Sequence, residues 1–82
     1  MIAVYTKTDC GECENVKRWL KWADIPYQEI SGEVPETLAE LKKYGFQGFP
    51  VVAIEGNLDD AFSGFNYERL KEIKEAYDDV EN

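Results

Sequence analysis

The chain has 82 residues, of which 44% are hydrophobic and 13% aromatic. We therefore expect a single domain over residues 1–82 with a modest core, since no room remains for a second one. Seventeen acidic residues against nine basic ones leave a net charge of -8, which repels phosphate backbones and anionic headgroups and argues against nucleic-acid or membrane binding. The short apolar start lacks a basic leader, so we expect a first strand, no signal peptide and a cytoplasmic location.

The first half of the chain predicts two strands, each followed by a helix. The predicted elements are, in chain order, a strand at 2–5, a helix at 13–23 after a turn at 9–11, a strand at 25–30, and a helix from Pro35 to Tyr44. Proline favours the first turn of a helix, and Gly45 supplies the stop signal after the second helix.

The second half predicts a hairpin followed by a helix. The predicted elements are a strand at 50–54, a three-residue turn at 55–57, a weaker strand at 58–62, and a last helix that Asn66 caps. Helical crossovers make the first two strands parallel, whereas the short turn makes the last two antiparallel. The predicted fold class is α/β, with the order β-α-β-α-β-β-α and a mixed four-stranded sheet flanked by three helices.

Both cysteines lie in one tetrapeptide, Cys10-Gly11-Glu12-Cys13, where the first strand runs into a helix. Two thiols at this spacing cycle between a dithiol and a disulfide. Cys10 faces the unpaired N–H groups and the positive end of the helix dipole, which favour the thiolate, so it is the predicted nucleophile. Cys13 follows about one helical turn later and is the predicted resolving thiol.

The surroundings of this pair are acidic. Lys7 is the only cation near the motif, whereas Asp9, Glu12 and Glu14 add negative charge that opposes thiolate formation. A less stabilised thiolate means a less stabilised reduced form, so we predict a reductant. Glu12 also adds a charge beside the attacked sulfur, and Gly11 removes a side chain from the loop that faces a partner.

Two other interpretations of the cysteine pair remain open. A structural disulfide here would close a loop of about four residues, worth roughly 2 kcal/mol, and the cytosol would tend to reduce it. A zinc or iron–sulfur site needs about four ligands, and because the chain has two cysteines and no histidine, such a site would require a dimer, a carboxylate or an external thiol. The alternative of another class is a metal- or cluster-binding module formed by two chains that share their cysteines. We therefore expect neither a metal nor an organic cofactor.

The two tryptophans lie on the first helix. Trp19 sits at the edge of the apolar face and is predicted to complete the core. Trp22 lies nearly opposite that face. A partner hot spot is one interpretation, since exposed tryptophan is enriched at interfaces, and an isolated exposed residue is the favoured one. Neither is a predicted site residue.

Short segments spread from residue 4 to about residue 70 resemble those of one family. They are Val4-Tyr5-Thr6-Lys7, the two cysteines, Gly45-Phe46, Pro50-Val51-Val52 and Ser63-Gly64-Phe65. These segments are similar to those of the NrdH redoxins, glutaredoxin-like electron donors in the thioredoxin superfamily. The chain departs from the family pattern in its Gly11-Glu12 dipeptide, where an apolar residue and Gln are usual, and in Phe62, where Trp is common.

The resemblance implies a thioredoxin-like fold in which the Phe49-Pro50 bond is cis and faces the cysteines. It also implies a thiol–disulfide oxidoreductase that thioredoxin reductase reduces and that delivers electrons to a class Ib ribonucleotide reductase. We expect a monomer, and the residues predicted to bind its partners are Lys7, Gly11, Glu12, Phe49, Pro50, Ser63, Gly64 and Phe65.

A glutathione-dependent glutaredoxin is the alternative within the same chemistry. Lys7 would then hold a glutathione carboxylate. Glutaredoxins of that kind usually carry a Gly-Gly pair followed closely by a carboxylate that holds the amino end of the tripeptide. Here Ser63-Gly64-Phe65 is followed by the uncharged Asn66, which favours thioredoxin reductase over glutathione as the electron source.

Overall fold

The structure, a computed structural model, describes residues 1–81, with side chains up to residue 78, so Asn82 of the predicted domain lies outside the described residues. Its seven elements follow the predicted order. They are β1 (Ile2–Thr6), α1 (Gly11–Trp22), β2 (Tyr27–Ser31), α2 (Pro35–Lys43), β3 (Val51–Ile54), β4 (Asn57–Ser63) and α3 (Tyr67–Glu81). No helix in this described part has the length and apolarity needed to cross a membrane.

The four strands form one mixed sheet in the order β2-β1-β3-β4. β1 pairs with β2 in parallel, and β3 pairs antiparallel with both β1 and β4, so the predicted parallel and antiparallel pairs are confirmed. The pairing of β1 with β3 brings Tyr5 opposite Val51, which in turn lies opposite Ser63. The end of β1, the start of β3 and the end of β4 therefore meet at one end of the sheet.

One face of the sheet carries the main core. Side chains alternate between faces along a strand, so Ile2 and Val4 of β1 point to the same side, where α1 and α3 cover them. On the other face, the buried Leu41 of α2 lies near Tyr5 and Ile30. The main buried cluster consists of Ile2, Val4, Val16, Leu20, Ile25, Val52, Phe62, Leu70 and Ile73.

Helix α1 begins at Gly11, two residues earlier than the sequence predicted. Its N-cap is Cys10, whose Sγ accepts a hydrogen bond from the Cys13 N–H at 3.1 Å. The Cys10 carbonyl accepts a second from the Glu14 N–H at 3.2 Å. Sequence signals for a cap favour Ser, Thr, Asp and Asn, so they do not register a sulfur in this position.

Strand β2 begins at Tyr27, two residues later than predicted. The Ile25 N–H is taken by the Leu20 carbonyl at 3.0 Å, and Asp24 adopts a left-handed conformation with a φ of 62°. This arrangement closes the end of α1 with an aspartate where glycine is usual. Because residues 24 and 25 belong to the end of α1, strand pairing begins only after them, at Tyr27.

The β3–β4 turn is also shorter than predicted. Ile54 pairs with Asn57, so the turn consists of two residues, Glu55 and Gly56, with φ angles of 55° and 72°. Two successive positive φ angles match the right-handed twist of a hairpin, which favours a two-residue turn over the three-residue turn predicted from sequence.

Candidate functional site

A disulfide joins the two cysteines at the N-terminus of α1, with their Cα atoms 5.2 Å apart. Cys13 is 1% exposed and shares the buried face of α1 with Val16 and Leu20, whereas Cys10 is only partly buried. Burial of an aliphatic side chain of this size is worth about 1.5–3 kcal/mol, so the two apolar residues hold this helix in position. The Cys10 sulfur is therefore the one that an incoming partner reaches first.

The electrostatic surroundings of Cys10 combine two opposing effects. The N–H groups of the first helical turn and the helix dipole favour a thiolate at this position. Glu12 and Glu14 in the same turn oppose it. Glu14 is paired with Lys17 at 3.0 Å, whereas no ion pair within the described part of the chain involves Glu12. The Glu12 carboxylate is thus the negative charge between the cysteines that no cation offsets.

The Phe49-Pro50 peptide bond is cis, as the resemblance implied. Pro50 is fully buried, and its carbonyl accepts a hydrogen bond from the Gly64 N–H at 2.8 Å. The Phe49 ring packs against the backbone at Gly32, where a side-chain Cβ would overlap Phe49 Cε1. These contacts tie the segment before β3 to the loop after β4 and to the loop after β2.

The β4–α3 loop also closes on the cysteine tetrapeptide. Glu12 Oε2 accepts a hydrogen bond from the Phe65 N–H at 3.2 Å. Gly64 has a φ of 78°, and a Cβ there would lie 3.2 Å from the same carboxylate oxygen. The absence of a side chain at Gly64 therefore allows the Glu12 carboxylate to reach the backbone of this loop.

Asn66 serves α3 and offers no charge to a ligand. Its Oδ1 accepts a hydrogen bond from the Arg69 N–H at 3.2 Å, and its carbonyl accepts from the Leu70 N–H at 3.0 Å. The predicted helix cap is confirmed. The side-chain oxygen of Asn66, which follows the Ser-Gly-Phe segment, is thus already hydrogen-bonded to the backbone of α3.

Lys7 precedes the cysteine tetrapeptide, in the loop between β1 and α1. It is exposed, and no hydrogen bond or ion pair among the described residues joins it to the other predicted site residues. The adjacent Thr8 donates from its N–H and its hydroxyl to Glu33 Oε1, both at 2.8 Å. These bonds lower the pKa of the Glu33 carboxyl, and the charge of Lys7 adds a smaller effect. Lys7 is therefore close to the β2–α2 loop.

An aromatic groove adjoins the site, which the sequence reasoning missed. Asn15, Arg18, Trp19, Trp22 and Phe65 line an open groove of about 380 Å³. Trp19 packs partly against the core, as predicted, and its ring centroid lies 6.0 Å from that of Trp22. Trp22 is 72% exposed but is not isolated, because Phe65 from the β4–α3 loop borders the same groove. The spacing of Trp19 and Trp22, three positions apart on one helix, is the sequence pattern that indicates such a groove.

Within the described residues, no group of three or more His, Cys, Asp or Glu side chains is arranged to hold a metal ion. Both sulfurs are committed to the disulfide. A disulfide at the N-terminus of a helix, in a mixed sheet that is flanked by helices and has a cis proline before β3, is the site of a thiol–disulfide oxidoreductase with a thioredoxin-like fold.

Comparison with known proteins gives the same class. The family model described as Glutaredoxin matches residues 2–58. The glutaredoxin-like protein NrdH of Lactococcus lactis subsp. cremoris is 36% identical over 74 residues, which cover 89% of this chain and 99% of that protein. The corresponding NrdH of Escherichia coli is 33% identical over 76 residues, which cover 92% and 90%. The N-acetyl-S-hydroxy-L-cysteine reductase of Bacillus subtilis is 34% identical over 85 residues, which cover 92% and 91%.

Solved structures agree. The NrdH-redoxin from Escherichia coli superposes with a TM-score of 0.78 at 29% identity, covering 87% of this chain and 91% of the other. A thioredoxin-like protein superposes with a TM-score of 0.72 at 31% identity, covering 88% and 97%. The chain belongs to the glutaredoxin family and, within it, to the glutaredoxin-like NrdH proteins.

Proposed function

We propose that this protein is a monomeric, single-domain electron carrier of the cytoplasm, which thioredoxin reductase reduces and which in turn reduces a class Ib ribonucleotide reductase. The observation that carries the choice of electron source is the β4–α3 loop. Asn66 is uncharged and caps α3, so the loop lacks the carboxylate that would hold the amino end of glutathione. The Escherichia coli relative, moreover, is described as having a thioredoxin-like activity profile.

The proposed exchange proceeds in two steps. The Cys10 thiolate attacks one sulfur of a partner disulfide, which forms a mixed disulfide and releases the other partner sulfur as a thiolate. Cys13 then loses its proton and attacks Cys10 Sγ, which forms the intramolecular disulfide and releases the second partner thiolate. The partner gains two electrons and this protein loses two. The hydrogen bond from the Cys13 N–H to Cys10 Sγ supports stabilisation of the Cys10 thiolate by the first-turn backbone before the first step.

The electron source is tested by coupling the protein to NADPH through two separate routes. One reaction contains thioredoxin reductase, and the other contains glutathione with glutathione reductase. We expect reduction of a disulfide substrate with thioredoxin reductase and little or none with glutathione. Turnover with glutathione alone would contradict the proposal, and a Cys10→Ser variant is the control that must be inactive in both reactions.

The electron acceptor is tested by trapping. In a Cys13→Ser variant the resolving thiol is absent, so the mixed disulfide formed by Cys10 accumulates. We expect a covalent complex with the catalytic subunit of a class Ib ribonucleotide reductase. Dithiothreitol should reduce the mixed disulfide and separate the two proteins. A Cys10→Ser variant should form none. If the variant traps another disulfide-containing protein but not this subunit, the proposed acceptor is wrong.

A further inference from the structure

The Glu12 carboxylate occupies a backbone donor beside the reactive sulfur. Glu12 Oε2 accepts from the Phe65 N–H at 3.2 Å, although the two residues are 53 positions apart in the chain. A free backbone N–H at this position would be a ready partner for a carboxylate of a substrate. Because the donor is already taken by an internal carboxylate, an anionic substrate finds neither a hydrogen bond nor a favourable field there.

The charge at this position is also left without an internal counter-ion. Of the two glutamates in the first turn of α1, Glu14 pairs with Lys17 at 3.0 Å. No ion pair within the described part of the chain involves Glu12. A unit charge within several ångströms of a substrate charge at partial exposure changes their interaction by on the order of 1 kcal/mol, or about fivefold in rate.

We propose that Glu12 is a specificity-determining residue that selects disulfides carrying positive charge next to the reacting sulfurs and rejects those carrying negative charge. This inference rests on the thiol–disulfide exchange proposed above. The substrate class is thus a disulfide flanked by basic or uncharged groups. Glu12 does not enter the bond-making steps, since it acts through its charge and through the backbone of the Phe65 loop.

Three small disulfides of similar size test the selection. They are cystamine, which is dicationic, bis(2-hydroxyethyl) disulfide, which is neutral, and 3,3′-dithiodipropionate, which is dianionic. The protein is reduced beforehand, freed of reductant and mixed with each one, and the second-order rate constant of its oxidation is measured. The quantity compared is the ratio of the cystamine constant to the dithiodipropionate constant, and the intrinsic reactivity of each disulfide cancels when the ratio of a variant is divided by that of the wild type.

We expect Glu12→Gln, which keeps an oxygen for the Phe65 N–H but removes the charge, to lower this ratio by roughly three- to tenfold. Glu12→Ala should lower it by a similar factor. Glu75→Gln, on the exposed surface of α3, changes the net charge by the same amount and should leave the ratio within about twofold of the wild type. An increase from about 20 mM to about 500 mM NaCl should remove most of the wild-type preference, since screening acts on charge and not on packing.

An unchanged ratio in Glu12→Gln would overturn the inference. If the ratio then changed in Glu12→Ala alone, Glu12 would be assigned a purely structural hydrogen bond. The neutral disulfide separates this failure from that of the proposed exchange. If the wild type does not reduce bis(2-hydroxyethyl) disulfide, the exchange itself is wrong, whereas normal reduction of this disulfide with an unchanged ratio in Glu12→Gln contradicts only the selection by Glu12.

Discussion

Gly32 illustrates how a single residue can position the site. The Phe49 ring lies against its backbone so closely that any Cβ at this position would overlap the ring. Gly32 is also held by its neighbours, because its N–H donates to the Thr6 carbonyl at 2.8 Å. A Cβ at Gly32 would therefore require the Phe49 side chain to move. The packing of one glycine thus bears on the position of Phe49 before β3.

A methyl group at Gly32 should accordingly destabilise the fold. We expect Gly32→Ala to lower the free energy of unfolding by about 1–3 kcal/mol, the usual cost of overpacking, as measured by urea denaturation. Gly48→Ala is the matched control, because a Cβ at Gly48 has no heavy atom within 4 Å, and its effect should stay within about 1 kcal/mol. Equal stability of the two variants would show that the Phe49 ring moves aside freely.

At the scale of elements, one carboxylate joins three of them close to the site. Glu29 on β2 accepts a hydrogen bond from the Thr6 hydroxyl of β1 at 2.9 Å and one from Lys17 Nζ of α1 at 3.1 Å. The bond from Lys17, followed by that from Thr6, lowers the pKa of the Glu29 carboxyl below its ordinary value of 4.5. Because Thr6 is the last residue of β1, this network fixes the strand end from which the cysteine loop departs.

The lowered pKa of Glu29 predicts a pH-dependent contribution to stability. A depressed folded-state pKa stabilises the protein above the unfolded pKa, and this contribution is lost as the pH falls through the folded pKa. Since the Glu29 side chain is 46% exposed, solvent screening limits the effect. We expect Glu29→Gln to lower the free energy of unfolding at pH 7 by about 0.5–1 kcal/mol.

Urea denaturation at neutral and acidic pH checks this expectation. The difference between Glu29→Gln and the wild type should shrink below pH 4.5 and vanish once the wild-type carboxyl is protonated. Glu75→Gln is a suitable control, because no hydrogen bond to its side chain is found among the described residues. A difference at Glu29 that persists unchanged in acid would mean that packing rather than charge is responsible.

For the whole molecule, the dominant electrostatic property is the net charge of -8 on 82 residues. Self-repulsion of this kind destabilises a folded chain, and added salt screens it. The same salt weakens the exposed ion pairs, such as that of Lys74 with Asp78, but such pairs contribute little. Repulsion among the excess carboxylates should therefore decide the direction of the salt effect.

We expect the free energy of unfolding to rise with NaCl between about 10 mM and 500 mM, over which the Debye length falls from about 30 Å to a few ångströms. Urea denaturation at a series of NaCl concentrations measures this change. Screening predicts that the rise levels off at the upper end of the series. A steady fall with salt would show that ion pairs outweigh the repulsion.

The order of elements and the identity of the reactive pair could be predicted because both depend on short-range signals. Helix periodicity, a proline at the start of α2 and a glycine after its end act over a few residues, and Cys10 and Cys13 are three positions apart. The boundaries that differed, at the start of α1 and in the β3–β4 turn, depend on a sulfur cap and on two positive φ angles, which residue preferences register poorly.

The sequence by itself determined the fold class, the thiol chemistry and the family. Each of these depends on local patterns and on short segments that resemble those of a known family. Only the tertiary structure decided which loops meet. The pairing of β1 with β3 and of β3 with β4 brings the end of β1, which precedes the cysteine loop, to the same end of the sheet as the β4–α3 loop, where Glu12 binds the backbone of Phe65. Contacts between residues 53 positions apart depend on strand order and packing, which no pattern along the chain encodes.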